Sequence, residues 1–276
     1  MSVTRKFTPG GALTDLLLVL LALLFFFPFY WIMTGAFKLQ TVAVQIPPEW
    51  FPLKPTLDNF TKLAHQPLLR WTFNSFFVAI ATAAILCVTA SLAGYALAKK
   101  RFVGAKLLFT LFIAAMSLPK QVIMIPLFTM LAEWKWMNSY QALVFPAVGW
   151  PFGVFLMRQF CVTIPTELLE AAKIDGSGEI RTFVSIALPI MKPGIGALAI
   201  FTFISAWNDY FMQLIVVSST AMKTLPLGIA SMQQEFTTDY GLLMAGAAIA
   251  SVPMIVIFIA FQRYFTQGIT MGAVKG

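Results

Sequence analysis

The chain has 276 residues, of which 59% are hydrophobic and only 11% charged, against roughly 45 to 50% apolar and about 25% charged in soluble domains. That balance excludes an ordinary soluble domain and points to a polytopic membrane protein. The net charge of +8 does not signal nucleic acid, because the Lys and Arg residues gather at the ends of apolar runs, where anionic lipid and membrane orientation account for them.

In chain order, Arg5 and Lys6 precede an apolar run over about 13–37. It is longer than the roughly 7 to 15 residue core of a secretory signal, so it reads as a retained first span. An outside loop over about 39–73 follows, carrying Pro47, Pro48, Pro52, Pro55 and Pro67 with Trp50 and Trp71, the composition of an ordered loop with aromatics at the interface. Further apolar runs lie at about 76–98, 107–131, 142–160, 195–217 and 242–261, each near the roughly 20 residues a membrane helix needs. The expectation is an all-α protein of about six transmembrane helices in a single domain over 1–276. The run 107–131 is interrupted by Pro119, Lys120, Gln121 and Pro126, and a split there reverses everything downstream. The residues alone leave that choice open. Lys120 and Gln121 serve either a gate or the backbone freed by Pro119, with the structural role favoured.

Orientation follows from the positive-inside rule. Arg5, Lys6, Lys99, Lys100, Arg101, Lys106, Arg158, Lys173, Arg181, Lys192, Arg263 and Lys275 fall on one side, which places both termini in the cytoplasm. Cys87 lies inside one apolar run and Cys161 at the end of another, with the single histidine, His65, in the outside loop. No metal-ligand spacing results, and the thiols read as free.

The cytoplasmic stretch over about 162–194 is long for a connection and rich in turn signals. Thr166 is placed to cap a helix through Glu167, Leu168, Leu169 and Glu170, which Asp175-Gly176 then stops. After Gly178 a second short helix is expected at the membrane surface, with Ile180, Phe183, Val184 and Ala187 on one face and Arg181, Thr182 and Ser185 on the other, until Pro189 breaks it. Ala171 and Ala172 allow a close approach, and Glu170 and Asp175 offer carboxylates to a partner's basic groups. An isolated charged loop of this kind also reads as a merely solvated face.

The order of features weighs against the solvated face. Glu170-Ala171-Ala172, Gly176, Ile186, Leu188 and Pro189 resemble the EAA loop of ABC importer permeases. Nearly the whole chain is similar to their carbohydrate branch, in particular the smaller permease of maltose-type importers. Asn74-Ser75, Arg158-Gln159-Phe160, Trp207-Asn208-Asp209 and the ending from Gly268 to Gly276 carry that likeness. The resemblance implies a type I importer fold with 107–131 kept as one span. It also implies a second homologous permease, two ATPase subunits that hold ATP and Mg, an external solute-binding protein, and a bacterial inner-membrane location. By the same resemblance Glu170, Ala171, Ala172, Asp175 and Gly176 seat in a groove of the ATPase. The chain itself is expected to be no enzyme and to carry no cofactor, which agrees with the lack of a G-x-x-x-x-G-K-[ST] phosphate loop.

Trp207, Asn208, Asp209, Tyr210 and Gln213 form a polar and aromatic group inside the fifth apolar run. An ionisable group there costs at least about 2.5 kcal/mol unless it faces water or a partner. The group either lines or gates a pathway suited to a sugar, or staples helices together through hydrogen bonds. The larger permease of the family can supply most solute contacts, which leaves this subunit's own share open. A self-powered secondary transporter is the competing class, but only Asp209 and Lys120 offer mid-membrane charge for ion coupling. A membrane enzyme lacks a ligand cluster or a nucleophile beside a histidine.

Overall fold

A computed structural model describes residues 9–233 and 238–273, with side chains described over 13–233 and 238–262. Among these residues all regular secondary structure is helical, as expected where no water is present to satisfy an open backbone. Arg5, Lys6, Lys275 and the last three residues of the family-like ending lie outside the described residues, as does the side chain of Arg263. The helices used below are α1 (Pro9–Gly35), α2 (Leu68–Lys99), α3 (Ala105–Met116), α4 (Lys120–Glu133), α5 (Tyr140–Val148), α6 (Phe152–Val162), α7 (Thr166–Ile174), α8 (Leu188–Trp207), α9 (Phe211–Val216) and α10 (Tyr240–Ala273).

Four helical stretches are long and apolar enough to cross a membrane: Leu13–Gly35, Leu68–Lys99, Glu179–Trp207 and Tyr240–Gln262. Two bent pairs, α3 with α4 and α5 with α6, bring the number to six when each counts as one span. The chain divides into two compact units, Met1–Leu68 with Ile229–Val252, and Leu69–Gly228 with Pro253–Gly276.

In the first unit, α1 is apolar on every side and exposes Leu24, Phe25 and Phe26, the pattern of a helix facing lipid or another subunit. Its end is tied down by the loop beyond it. The Asn59 side-chain amide donates to the carbonyls of Ala36 and Lys38 at 2.9 and 2.8 Å, which satisfies acceptors that a helix end otherwise leaves free. Lys38 lies over the Trp31 ring at 4.5 Å and donates to the Glu49 carbonyl. Lys62 pairs with Asp239 at 2.6 Å, and Ala36, Leu63, Ala245 and Ala248 form the buried centre.

The second unit is built on α2. Leu86, Cys87, Ala90, Tyr95 and Leu97 of this helix pack with Val154, Met157 and Cys161 of α6, with Ile164 and Leu169, and with Ala187, Met191 and Leu198. One glycine makes the crossing possible. A β-carbon on Gly94 would lie 2.7 Å from the Arg158 nitrogen and 2.8 Å from the Met157 carbonyl carbon, so α2 and α6 meet backbone to backbone.

Some expectations are sharpened and others corrected. The run 107–131 is two helices bent by 102°, because Pro119 lacks an N–H and takes extended backbone as the N-cap of α4. The run 142–160 bends by 42° at Trp150-Pro151, where Pro151 likewise lacks an N–H but keeps helical dihedrals, and the bend is correspondingly smaller. The fifth span lies earlier than 195–217: helix runs through Glu179–Trp207, and Asn208 to Tyr210 then separate it from the short α9. Pro189 does not break the stretch. The turn before it widens to π geometry over Phe183–Ala187, and Pro189 falls at the start of α8, so its missing donor falls where the helical hydrogen-bond register has just shifted. The expected outward and inward faces here also change, since Ile180 is 82% exposed while Thr182 is buried. Trp71 is not an interfacial aromatic. It opens α2, is buried, and donates its indole N–H to the Thr220 carbonyl at 2.9 Å.

Candidate coupling loop and transmembrane cavity

α7 is a nine-residue helix that follows Pro165, and no side chain caps its start. Thr166 is therefore the first helical residue and not the cap. The end is built as the sequence leads one to expect. Gly176 takes φ 77°, its N–H reaches the Lys173 carbonyl at 3.0 Å, and the Ser177 N–H reaches the Ala172 carbonyl at 2.8 Å. These paired bonds form a Schellman stop, which needs a left-handed residue that only glycine adopts without penalty.

The helix has one face in and one face out. Leu169 and Ala172, three residues apart, are buried against the core, as a helical face requires. Glu167, Leu168, Glu170, Ala171 and Ile174 point outward, with Ile174 87% exposed. Of the five predicted coupling residues, Glu170, Ala171, Asp175 and Gly176 lie at the surface. Ala172 does not: it is 6% exposed and fixes the helix to the body. Glu179 pairs with Lys100, just beyond the end of α2, and its other oxygen lies 3.6 Å from Lys173. Lys99 donates to the Ile164 carbonyl at 2.6 Å. The loop is thus attached to α2 by packing and by charge.

The five pathway candidates separate in the structure. Trp207 is buried between Phe76, with ring centroids 4.9 Å apart, and Phe203. Gln213 is buried and accepts a hydrogen bond from the Thr224 hydroxyl. Both hold the interior together, as a helix staple does. Asn208 is exposed and donates back to the Ile204 carbonyl at 3.0 Å, while Tyr210 packs its ring against Phe211. Asp209 accepts the Met212 N–H at 3.2 Å, capping α9, and faces a cavity of about 220 Å³ shared with Thr82, Lys120, Trp150 and Ser205. Lys120 stands 4.4 Å above the Trp150 ring and 3.5 Å from the Ser205 hydroxyl. The sequence offered Lys120 as a gate or a structural residue, with the structural role favoured, and gave no reason to select Thr82 or Ser205 from their apolar surroundings. Trp150 had a signal, the Pro151 that follows it.

The family model for binding-protein-dependent transport system inner membrane components matches residues 88–271. An arabinooligosaccharides transport system permease protein of Halalkalibacterium halodurans is 37% identical over 227 residues, covering 82% of this chain and 81% of the relative. A trehalose/maltose transport system permease protein of Thermococcus litoralis is 31% identical over 265 residues, 94% of each chain. A chain from the crystal structure of a bacterial ABC transporter involved in the import of the acidic polysaccharide alginate superposes with a TM-score of 0.82 at 18% identity, over 95% of this chain and 100% of that one. At that identity the likeness establishes a common fold.

Proposed function

Because this chain belongs to the family of binding-protein-dependent transport system inner membrane components, we propose that it is the permease subunit through which an ATP-driven importer of a carbohydrate or sugar-like solute couples ATPase closure to alternating access. The solute class rests on the names of its relatives, permeases for arabinooligosaccharides and for trehalose or maltose. In this reading the chain pairs with a second homologous permease in the lipid of a bacterial inner membrane, with both termini in the cytoplasm. Two ATPase subunits hold ATP and Mg, and an external binding protein delivers the solute.

The observation that carries the coupling role is the uncovered face of α7. A helix held on one side by Leu169 and Ala172 leaves Glu170, Ala171 and Ile174 in the open. An isoleucine exposed beside a carboxylate on a short rigid helix is the form of a helix-in-groove anchor. Closure of the ATPase dimer drags this helix, and the contacts to α2 and α8 carry the displacement into the membrane. The test is quantitative mass spectrometry of the tagged chain purified with its operon partners in mild detergent. A nucleotide-binding subunit is expected to co-purify, and to be lost from an Ile174→Asp variant that retains the second permease. Equal recovery from the variant overturns the docking role of this face.

A further inference from the structure

We infer that the seam between the cytoplasmic ends of α3 and α6 binds one anionic phospholipid of the inner leaflet, whose phosphate sits between Arg158 and Lys106. The inference rests on the orientation proposed above, with these helix ends at the cytoplasmic face. Arg158 is the starting point. Its guanidinium lies over the Phe109 ring at 3.9 Å, and Phe109 stacks in turn on Phe155, one turn before Arg158 on α6, with centroids 6.3 Å apart. The stack holds the planar cation in one orientation. It shuts off Nε, which is buried without a hydrogen-bond partner, whereas the two terminal nitrogens of this half-buried residue are not enclosed. Among the described residues Arg158 makes no ion pair. A guanidinium partly withdrawn from water with no carboxylate beside it calls for an anion from outside the chain.

Two neighbouring cations are already engaged, Lys100 with Glu179 and Lys99 with the Ile164 carbonyl. Lys106 is exposed and, among the described residues, makes no ion pair. It precedes Phe109 by one turn of α3, which puts it on the face where Arg158 stacks. The surface around it is apolar. Leu107 and Leu111 are exposed on α3, and the loop before this helix bares Phe102 and Val103. Cations level with exposed leucines and an apolar loop tip belong at the boundary between headgroups and acyl chains, which favours lipid over a soluble partner. The second permease fits less well, because the positive-inside rule makes its own cytoplasmic helix ends basic, so that cations would meet cations. Basic pockets between membrane helices on the cytoplasmic side are where anionic headgroups bind.

The test uses the complete transporter, with its partner permease and ATPase subunits, in phosphatidylcholine nanodiscs that carry a trace of phosphatidylglycerol bearing a diazirine in its acyl chain. After illumination, lipid adducts on α3 are quantified by mass spectrometry. This probe should label α3 well above a phosphatidylcholine probe with the same diazirine. Arg158→Gln should lower the yield at least about ten-fold, the loss of hydrogen bonds to a charged group. Lys106→Gln should lower it about five-fold, the effect of one cation beside an anionic surface. Lys192→Gln removes an exposed cation on α8 and should leave the yield unchanged. If Arg158→Gln fails to assemble, Lys106→Gln gives the reading alone, since its side chain is exposed. Equal labelling by the two probes overturns the site, and a loss from Lys192→Gln as large as that from Lys106→Gln reduces it to diffuse attraction and overturns it too. Retention of radiolabelled inorganic phosphate that Arg158→Gln abolishes, without preference between the lipid probes, identifies a soluble anion and overturns the lipid. The orientation is tested separately with Lys106→Cys, which a membrane-impermeant maleimide should label only after spheroplasts are permeabilised. Labelling in intact spheroplasts overturns the orientation and the inner-leaflet placement, while the probe comparison alone decides the site.

Discussion

Replacing Gly176 separates backbone geometry from space in the coupling loop. Gly176 has φ 77°, and a β-carbon built on it meets no atom within 4 Å. An alanine here therefore encounters no clash within the chain, only the left-handed conformation, which costs about 1 to 2 kcal/mol. Reduced freedom of the unfolded chain offsets about 0.4 to 1 kcal/mol of that, leaving about 1 kcal/mol net, or roughly a five-fold drop in the closed-to-open ratio of the turn. α7 has only nine residues, too few to be stable without its ends, so opening the turn frays Lys173 to Asp175 and displaces Ile174. Asparagine tolerates the left-handed region better than alanine, and Gly176→Asn should lose less than two-fold. Gly178 has φ −68° and open space around it, so Gly178→Ala should behave as the native chain. The assay is ATP-driven uptake in proteoliposomes, normalised to assembled transporter, with ATPase retention measured on the same samples. Native uptake from Gly176→Ala refutes the reasoning. So does a loss from Gly176→Asn as large as that from alanine, because it makes room against the partner, and not φ, the constraint.

Three further predictions follow from other parts of the molecule. Glu170→Lys reverses an exposed charge on α7 and should uncouple uptake at least ten-fold while both permeases still assemble; unchanged uptake removes Glu170 from the docking contact. Gly94→Ala forces backbone against backbone where α2 crosses α6, and should destabilise the protein by about 1 to 3 kcal/mol, seen as a lower unfolding temperature in detergent, whereas an unchanged temperature means the crossing yields easily. At Asp239, burial alone raises the carboxyl pKa, but the Lys62 hydrogen bond and the Leu242 and Gly241 amides outweigh it and hold the group below its ordinary value. Stability from this pair is therefore complete above the ordinary carboxylate range and is lost as pH falls through the lowered pKa. Because Lys62 is half exposed, the contribution should be under about 1 kcal/mol. Asp239→Asn should narrow the difference in thermal stability between pH 7 and pH 3, and an identical pH dependence in the variant contradicts this.

The features legible in the sequence are those that act over a few residues. The stop at Asp175-Gly176 was readable because a left-handed turn requires a particular residue type, and the six apolar runs because spanning lipid requires length and composition. Pro119 marked an interruption, yet not its 102° angle, which depends on what the two halves pack against. Pro189 misled for a related reason: its effect was absorbed by a π turn that no local propensity announces. The inward face of Ala172 and the burial of Trp71 depend on neighbours distant in the chain. Thr82 illustrates the limit most clearly. In sequence it is one small residue in the apolar run of α2, and only the folded arrangement shows it fully buried with an unpartnered hydroxyl.

Reconstitution with a controlled energy source tests the central claim most directly. The chain is placed in proteoliposomes with its partner permease and binding protein, with or without the ATPase subunits, and uptake of a labelled sugar is followed with ATP or with an imposed ion gradient. Uptake that requires both the ATPase subunits and ATP, and that ignores the gradient, is the predicted result. Uptake driven by the gradient in vesicles lacking ATPase subunits would contradict it and identify a self-powered carrier.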